Sequence, residues 1–296
     1  MTRRGPSTGI AGILALDKPE GMTSHDVVDA VRRLTGERRV GHAGTLDPLA
    51  TGLLVVCVGP ATRLADYLMA GVKTYEARIC FGKETTTDDS EGQTLREGEL
   101  FSEIEDAAFA THVLGGMLGE MQQLPPAYSA IKKDGIKAYK AARAGAPLAL
   151  EPRLVALYEA DVLATSKNYW DVKLVVSKGF YVRSFARDLG RQLDSAAHLG
   201  ALRRTASGSV TIEQASALPL SEPTFIDPVP ALGLPVYEVD AAEAAAISNG
   251  KTLMLATQQT QSNLISIVHD GRFLAIYETV GKSCLAKPKV VIPGGL

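Results

Sequence analysis

A run of six apolar residues, LLVVCV at positions 53–58, constrains the fold most, because no polar side chain interrupts it. A short continuous apolar run between glycines is typical of a strand that is buried in a sheet. Gly52 precedes this run and Gly59 follows it. The chain has 296 residues, 46% of them hydrophobic, and is therefore long enough to cover such a strand with a sizeable core.

The segments around this run predict strands and helices in irregular succession. Further strands are predicted from ILALD (13–17), TYEARICFG (74–82) and WDVKLVVSKG (170–179). Helices are predicted from a cap at Thr23 or Ser24 to Gly36, near TRLADYLM (62–69), and at VRSFARDLGRQL (182–193). Because the pattern lacks regular βαβ alternation, it predicts an α+β fold with a mixed central sheet over residues 10–230.

The end of the chain predicts a second, smaller domain. Between positions 217 and 235, Pro228, Pro230 and Pro235 predict a connector without a regular element. Beyond it, AAEAAAISNG predicts a short helix, and LISIVHD, GRFLAIYE and KPKVVIP predict strands. These patterns favour a small, mainly β domain over residues 236–296.

Composition excludes several classes of protein. With 33 acidic and 31 basic residues the net charge is −2, so the chain is not basic overall. Its three cysteines, Cys57, Cys80 and Cys284, lie far apart and form neither a CxxC motif nor zinc-ligand spacing. No apolar run reaches the roughly 18 residues of a membrane span, and the polar start predicts a cytoplasmic protein. No loop for a nucleotide cofactor and no metal cluster is visible, so neither a cofactor nor a metal is expected.

One loop contains an isolated acid. The segment GHAGTLDPLATG, residues 41–52, has Asp47 as its sole charged carboxylate and His42 near its start. An aspartate before a proline in a glycine-rich segment is an ordinary turn former. The alternative is a reactive carboxylate whose partner lies far away in the sequence.

Local basic segments could contact phosphates despite the negative net charge. They are Arg32, Arg33, Arg38 and Arg39 before the loop, and Lys132, Lys133, Lys137, Lys140 and Arg143 later in the chain. The alternative is that these residues form solvent-exposed helix faces without a binding role.

Together, several motifs resemble those of the TruB-type tRNA pseudouridine synthases, in the bacterial stand-alone branch. Besides the Asp47 loop, they are LDKPEGMTSHD (16–26), KTYEA (73–77), QLPPAYSAIKKDGIKAYKAARAG (123–145), SKGFYVRSFARDLG (177–190) and AAHLGALRRTASG (196–208). The resemblance implies the pseudouridine synthase fold and a PUA-like RNA-binding domain over residues 236–296. It also implies isomerisation of uridine 55 in the TΨC loop of tRNA, by a monomer that needs no cofactor, no membrane and no obligate protein partner.

The same resemblance implies an acid and arginine network. Asp47 matches the catalytic aspartate, and Arg183 matches the arginine that pairs with it. Asp89, in TTTDDSEG, matches a second acid that positions this arginine. In this segment the chain departs from the family pattern, because Thr86 stands where many relatives have an acid and Asp88 adds one nearby.

Substrate contacts are implied for five further residues. Tyr75 and Tyr181 match aromatics that contact the uracil, and Leu202 matches an apolar residue of its pocket. His42 matches the histidine that enters the space left by the flipped nucleotide. Lys18 is also a candidate, although a lysine beside a Pro-Gly turn can serve the fold as well as the pocket. Without the motifs, the tyrosines would be read as half-buried strand aromatics.

Two questions stay open at the level of sequence. The carboxylate could add to C6 of uracil, attack C1′ of ribose, or remove the 2′ proton. The chain could also be an RNA-binding or tRNA-folding factor in which catalysis is secondary, or a guide-RNA-dependent relative of the dyskerin branch.

Overall fold

The computed structural model describes residues 8–133, 135–255, 263–279 and 284–296. Within them the strands are β1 Gly12–Lys18, β2 Val40–His42, β3 Thr51–Val58, β4 Lys73–Phe81, β5 Lys83–Thr85, β6 Thr94–Glu97, β7 Gly119–Gln123, β8 Lys132–Lys133, β9 Ile136–Lys137, β10 Arg153–Ser166, β11 Tyr169–Val176, β12 Ala197–Ser207, β13 Val210–Thr211, β14 Ser216–Ala217, β15 Val236–Glu238, β16 Leu253–Met254, β17 Leu264–His269, β18 Arg272–Thr279 and β19 Leu285–Val291.

The described α-helices are α1 Ser24–Thr35, α2 Ala65–Leu68, α3 Ala107–Gly115, α4 Ala138–Arg143, α5 Val182–Gln192, α6 Pro228–Leu232 and α7 Ala241–Ser248. The described 3-10 helices are Gly59–Leu64, Ser102–Glu105 and Ile212–Gln214. The predicted α+β class is confirmed, as are the strands and helices named above.

The apolar run around position 55 forms β3, and every residue from Gly52 to Val58 is buried. β1 pairs antiparallel with β3 along its whole length, from Gly12↔Val58 to Lys18↔Gly52. β1 also pairs in parallel with β14. The predicted mixed sheet is therefore confirmed.

Helix α1 lies between β1 and β3 in the chain and begins with a capping box. The Thr23 side chain accepts from the backbone N–H of Asp26, and the Asp26 side chain accepts from the backbone N–H of Thr23. Gly36 ends the helix in the left-handed conformation, with φ of 66°. Thr23 is thus the cap, and Ser24 is the first helical residue, with a buried side chain.

The contacts divide the described structure into two units. The first unit comprises the described residues up to Pro48, Gly52–Gly71 and Ala206–Leu296. It contains β1, β2 and β3, and also a five-stranded sheet in the order β15-β17-β18-β19-β16, which has the small, mainly β character predicted for residues 236–296. One buried apolar cluster joins these parts, with Ile13 and Leu53 packed in the same core as Phe273 and Ile292.

The second unit comprises Leu49–Thr51 and Val72–Thr205. Five of its strands lie side by side in the order β12-β4-β11-β10-β7, while β5 pairs with β6 and β8 pairs with β9. Trp170 is fully buried, donates from Nε1 to the carbonyl of Ile104 over 2.7 Å, and contacts the rings of Phe81 and Phe109 edge-on. The predicted domain boundaries, 10–230 and 236–296, stay a prediction.

One expectation about the connector was wrong. Pro228 and Pro230 lie inside α6, which was predicted to be irregular. Pro228 begins the helix, where a missing N–H costs no intrahelical hydrogen bond, and Asp227 caps it by accepting from the N–H of Val229. Among the described helices, none is long and apolar enough to cross a membrane.

Candidate active site

The predicted site residues divide between the two units. Lys18, His42 and Asp47 belong to the first unit, and Tyr75, Asp89, Tyr181, Arg183 and Leu202 belong to the second. Each set is built by its own network of contacts. The pairing of Asp47 with Arg183 stays a prediction.

The loop that carries Asp47 leaves β2 at His42 and enters β3 at Thr51. Gly44 and Gly52 have φ of 108° and 94°, a region in which a residue with a side chain would be strained. The side chain of Asp47 is half-buried between them. Glycine at these two positions therefore lets the backbone adopt positive φ on both sides of a residue that is only partly covered.

Ser24 holds the residue before this aspartate. Its Oγ accepts from the N–H of Leu46 over 2.8 Å and donates to the carbonyl of Leu46 over 2.9 Å. Ser24 and Leu46 are both buried. A single side chain from α1 thus satisfies both backbone groups of the loop residue next to Asp47.

Lys18 and Gly21 hold the residue after it. The Lys18 side chain is fully buried, and its Nζ donates to the carbonyls of Pro19 (2.9 Å), Met22 (2.7 Å) and Pro48 (3.3 Å). The N–H of Gly21 donates to the same Pro48 carbonyl over 2.9 Å. These contacts give Lys18 a role in shaping the loop, which is one of the two readings left open by the sequence.

In the second unit, Arg183 is 5% exposed and lies in the first turn of α5. Its Nη1 donates to the carbonyl of Thr87 over 3.0 Å and lies 3.5 Å from Oδ2 of Asp89. Its Nη2 donates to the carbonyl of Tyr128 over 2.9 Å. The guanidinium is therefore held by two chain segments that both precede α5 in the sequence, one around residues 87–89 and one at Tyr128.

Asp89 is itself fixed from several directions. Its Oδ1 accepts from the hydroxyl of Thr87 and, over 3.1 Å, from the N–H of Glu91. The residue is 3% exposed. Such a cradle keeps the carboxylate oriented toward Arg183, because its other oxygen is already engaged.

Tyr181 precedes α5 and is clamped through its backbone. Gln123 Oε1 accepts from the N–H of Tyr181 over 2.8 Å, and Gln123 Nε2 donates to its carbonyl over 3.1 Å. Gln123 is 2% exposed. Tyr75 and Leu202 lie on β4 and β12, which are neighbouring strands of the same unit.

The basic segments are partly engaged within the protein. Arg32 donates to Asp29 (2.8 Å) and to the carbonyl of Val40 (3.0 Å), and Lys133 donates to the carbonyl of Ala149 (2.6 Å). The exposed members are Arg33, Arg38, Arg39, Lys132, Lys140 and Arg143. Both segments therefore keep cationic groups at the surface.

The described residues include a group with metal-ligand chemistry at the protein surface. Potential ligand atoms of Glu238, His269 and Asp270 lie within 4.8 Å of one another. Glu238 already accepts from the N–H of Asp270 over 2.9 Å, and His269 Nδ1 lies 2.8 Å from the carbonyl of Val239. These contacts explain the cluster as part of the packing between the ends of the paired strands β15 and β17.

Sequence reasoning did not identify Ser24 and Gln123 as parts of the site. Ser24 was considered only as a helix cap, and Gln123 only as the start of a motif. Neither has a spacing that marks its partner, because the contacts join residues 22 and 58 positions apart.

Comparison with known proteins gives consistent matches. The family described as "TruB family pseudouridylate synthase (N terminal domain)" matches residues 32–182. A relative named tRNA pseudouridine synthase B, from Thermobifida fusca (strain YX), is 43% identical, covering 96% of this chain and 99% of the relative. The protein of the same name from Azoarcus sp. (strain BH72) is 39% identical, covering 94% of each.

Solved structures share the fold. The structure described as a Cbf5-Nop10-Gar1 complex contains a chain with a TM-score of 0.70 and 24% identity, covering 92% of this chain and 79% of that one. A chain of the H/ACA RNP bound to a substrate RNA containing 2′-deoxyuridine has a TM-score of 0.69 and 22% identity, covering 95% and 84%.

Proposed function

Because the chain belongs to the TruB family of pseudouridylate synthases, we propose that it isomerises uridine 55 in the TΨC loop of tRNA to pseudouridine, with Asp47 as the nucleophile. The nearly full-length match to relatives named tRNA pseudouridine synthase B supports tRNA as the substrate. The alternative in which the protein mainly binds or folds tRNA is an outcome of the experiment below.

The observation that carries this proposal is the fixation of the Asp47 loop. Ser24 binds both backbone groups of Leu46, and Lys18 and Gly21 bind the carbonyl of Pro48. The aspartate between them is held by its neighbours while its own carboxylate stays partly accessible. A reactive group has to be placed this firmly, because a displacement of about 1 Å can cost about a hundredfold in rate.

The reaction needs such a carboxylate. The bond from N1 of uracil to C1′ is broken, the base rotates, and C5 bonds to C1′ while the hydrogen of C5 is lost and N1 gains one. An ionised carboxylate can add to C6, attack C1′, or remove the 2′ proton to open the route. All three routes require Asp47 to be ionised and close to the nucleotide.

Arg183 supplies the charge that such a carboxylate requires. A guanidinium is permanently cationic and planar, so it orients a carboxylate as well as stabilising its charge. Asp89, 3.5 Å from Arg183, sets the position of this guanidinium. We therefore assign Arg183 to Asp47 and give Asp89 a positioning role.

The remaining candidates receive the target nucleotide. A stacked uridine has to leave its loop before its glycosidic bond can be reached. Tyr75 and Tyr181 offer aromatic faces for the extruded base, each worth about 1–3 kcal/mol by analogy with other base-stacking proteins. Leu202 supplies an apolar wall, and His42 fills the space that the base leaves.

The surface lysines and arginines named above supply the phosphate contacts, which makes tRNA binding salt-dependent. The target is recognised by the shape of a folded loop and its unstacked bases rather than by a base-edge code. We further propose that the protein works as a cytoplasmic monomer on free tRNA, without a guide RNA or an obligate protein partner.

The experiment that tests the function is tritium release from 5-tritiated uridine in an unmodified tRNA transcript. We expect the wild type to release label from one position, the Asp47→Asn variant to bind tRNA and release none, and the control Asp66→Asn, an exposed acid of α2, to match the wild type. A wild type that binds tRNA tightly without release would overturn the proposal and favour a binding or folding factor.

A further inference from the structure

Helix α5 carries three arginines at a spacing of four residues, which places them along one face of the helix. Each arginine meets an acid of the segment 84–89. The pairs are Arg183 with Asp89 (3.5 Å), Arg187 with Asp88 (2.9 Å) and Arg191 with Glu84 (3.0 Å from Nε). We call this set the arginine ladder. Only its first pair belongs to the residues predicted from sequence.

The middle pair is as buried as the first. Arg187 is 6% exposed and Asp88 is 7% exposed. Asp88 also has a φ of 62°, a left-handed conformation that is costly for a residue other than glycine. Its carbonyl accepts from the N–H of Leu199 over 3.0 Å, which ties this strained residue to β12. The surrounding structure therefore holds Asp88 in place against its local preference.

Arg187 bridges the same two segments that hold Arg183. Its Nη1 binds Asp88, and its Nη2 donates to the carbonyl of Leu124 over 2.9 Å. Arg183 binds the carbonyls of Thr87 and Tyr128 in the same two segments. The separation of the two segments thus decides whether both carbonyls can reach the Arg183 guanidinium.

We propose that Arg187, paired with Asp88, is a positioning residue for Arg183, because it sets the separation of the two segments that hold the Arg183 guanidinium. This inference rests on the proposed function, in which Arg183 serves Asp47. The proposal also assigns Arg187 as the partner of Asp88. Asp88 lies in the segment in which Thr86 departs from the family pattern.

A pH effect accompanies the pair. Burial raises the pKa of Asp88 to about 6, although Arg187 and Arg183 favour its ionised form; Glu84 and Asp188 are the acids that face it. Because the ionised carboxylate is the form that binds Arg187, the reaction rate should fall as pH drops through about 6. The Asp88→Asn variant should lack this part of the pH profile.

The test measures the single-turnover rate of pseudouridine formation at saturating tRNA, together with tRNA affinity and melting temperature. We expect Asp88→Asn and Arg187→Lys to lower the rate by about tenfold or more, with affinity changed less than about twofold. Arg187→Lys keeps the charge but removes the planar guanidinium that binds both segments at once. This variant therefore tests the proposal even if Asp88→Asn folds poorly.

Two controls separate positioning from stability. Arg191→Gln removes the outer pair of the ladder and should lower the melting temperature while leaving the rate near that of the wild type. Glu97→Gln changes an exposed acid of β6 outside the ladder and should change neither quantity.

Two results would overturn the inference in distinguishable ways. Suppose that the wild type is active, and that the losses in rate of the Asp88, Arg187 and Arg191 variants parallel their losses in melting temperature. The arginine ladder then only stabilises the fold. If the wild type forms no pseudouridine, the proposed function fails, and the role of Arg187 fails with it.

Discussion

The hydroxyl of Ser24 makes two hydrogen bonds to one residue, donating to the carbonyl of Leu46 and accepting from its N–H. Helix α1 is thereby joined to the loop that carries Asp47 through a contact that involves no charge. Because both partners are buried, water cannot replace either hydrogen bond when the hydroxyl is removed.

The Ser24→Ala variant should therefore lose both stability and catalysis. We expect a loss of about 1–3 kcal/mol in the free energy of unfolding, since the N–H and carbonyl of Leu46 lose their partner. The single-turnover rate should fall by about tenfold as the loop relaxes. The matched control is Thr23→Ala, which loses a helix cap worth about 0.5–2 kcal/mol but does not touch the loop. Equal rates in the two variants would contradict the prediction.

A second prediction concerns the clamp on Tyr181. Gln123→Ala leaves the N–H and carbonyl of Tyr181 without the side-chain amide that binds them, which should cost about 1–3 kcal/mol in stability. We expect a slower single-turnover rate as well, because Tyr181 would no longer present its ring in a fixed orientation. Gln122→Ala, an exposed neighbour on β7, should behave like the wild type. Unchanged rates in the Gln123 variant would show that Tyr181 is placed by other contacts.

Acid should weaken the outer pair of the ladder. Hydrogen bonds from Arg191, opposed by burial and assisted by Arg96, lower the pKa of Glu84 below its usual 4.5. A lowered pKa in the folded state stabilises the protein above pH 4.5, and this contribution is lost as pH falls through the folded-state pKa.

The Glu84→Gln variant should therefore unfold more easily than the wild type at pH 7, by about 1–3 kcal/mol in urea titrations. At pH 4 the difference should be smaller. Glu97→Gln, an exposed position of the same hairpin, is the control and should match the wild type at both values. A difference that grows toward low pH would refute the assignment.

The elements with clean patterns could be predicted from sequence. β3 is apolar throughout, and α1 has a cap, a spaced apolar face and a terminal glycine. Strand β10, in contrast, was not predicted. Its pairing with β11 contains two register shifts, and its Leu154, Tyr158 and Leu163 are exposed, so no simple alternation marks it.

The types of residue in the site could be predicted from the sequence, but the residues that hold them in place could not. The spacing of Arg183, Arg187 and Arg191 is visible in the sequence, yet their acidic partners lie about a hundred positions away. Charge patterns along one helix reveal a face, whereas the segment that covers this face is decided by the packing of the whole unit. For the same reason the sequence did not indicate that Gln123 reaches Tyr181.

The shared core of the first unit has a consequence for how the protein is made. Ile13 and Leu53 are buried together with Phe273 and Ile292, which leave the ribosome more than two hundred residues later. Domains usually fold as units while synthesis proceeds from the N-terminus. Here β1 and β3 cannot complete their core until residues 273–292 have been made, so the nascent chain carries incompletely covered apolar strands until then.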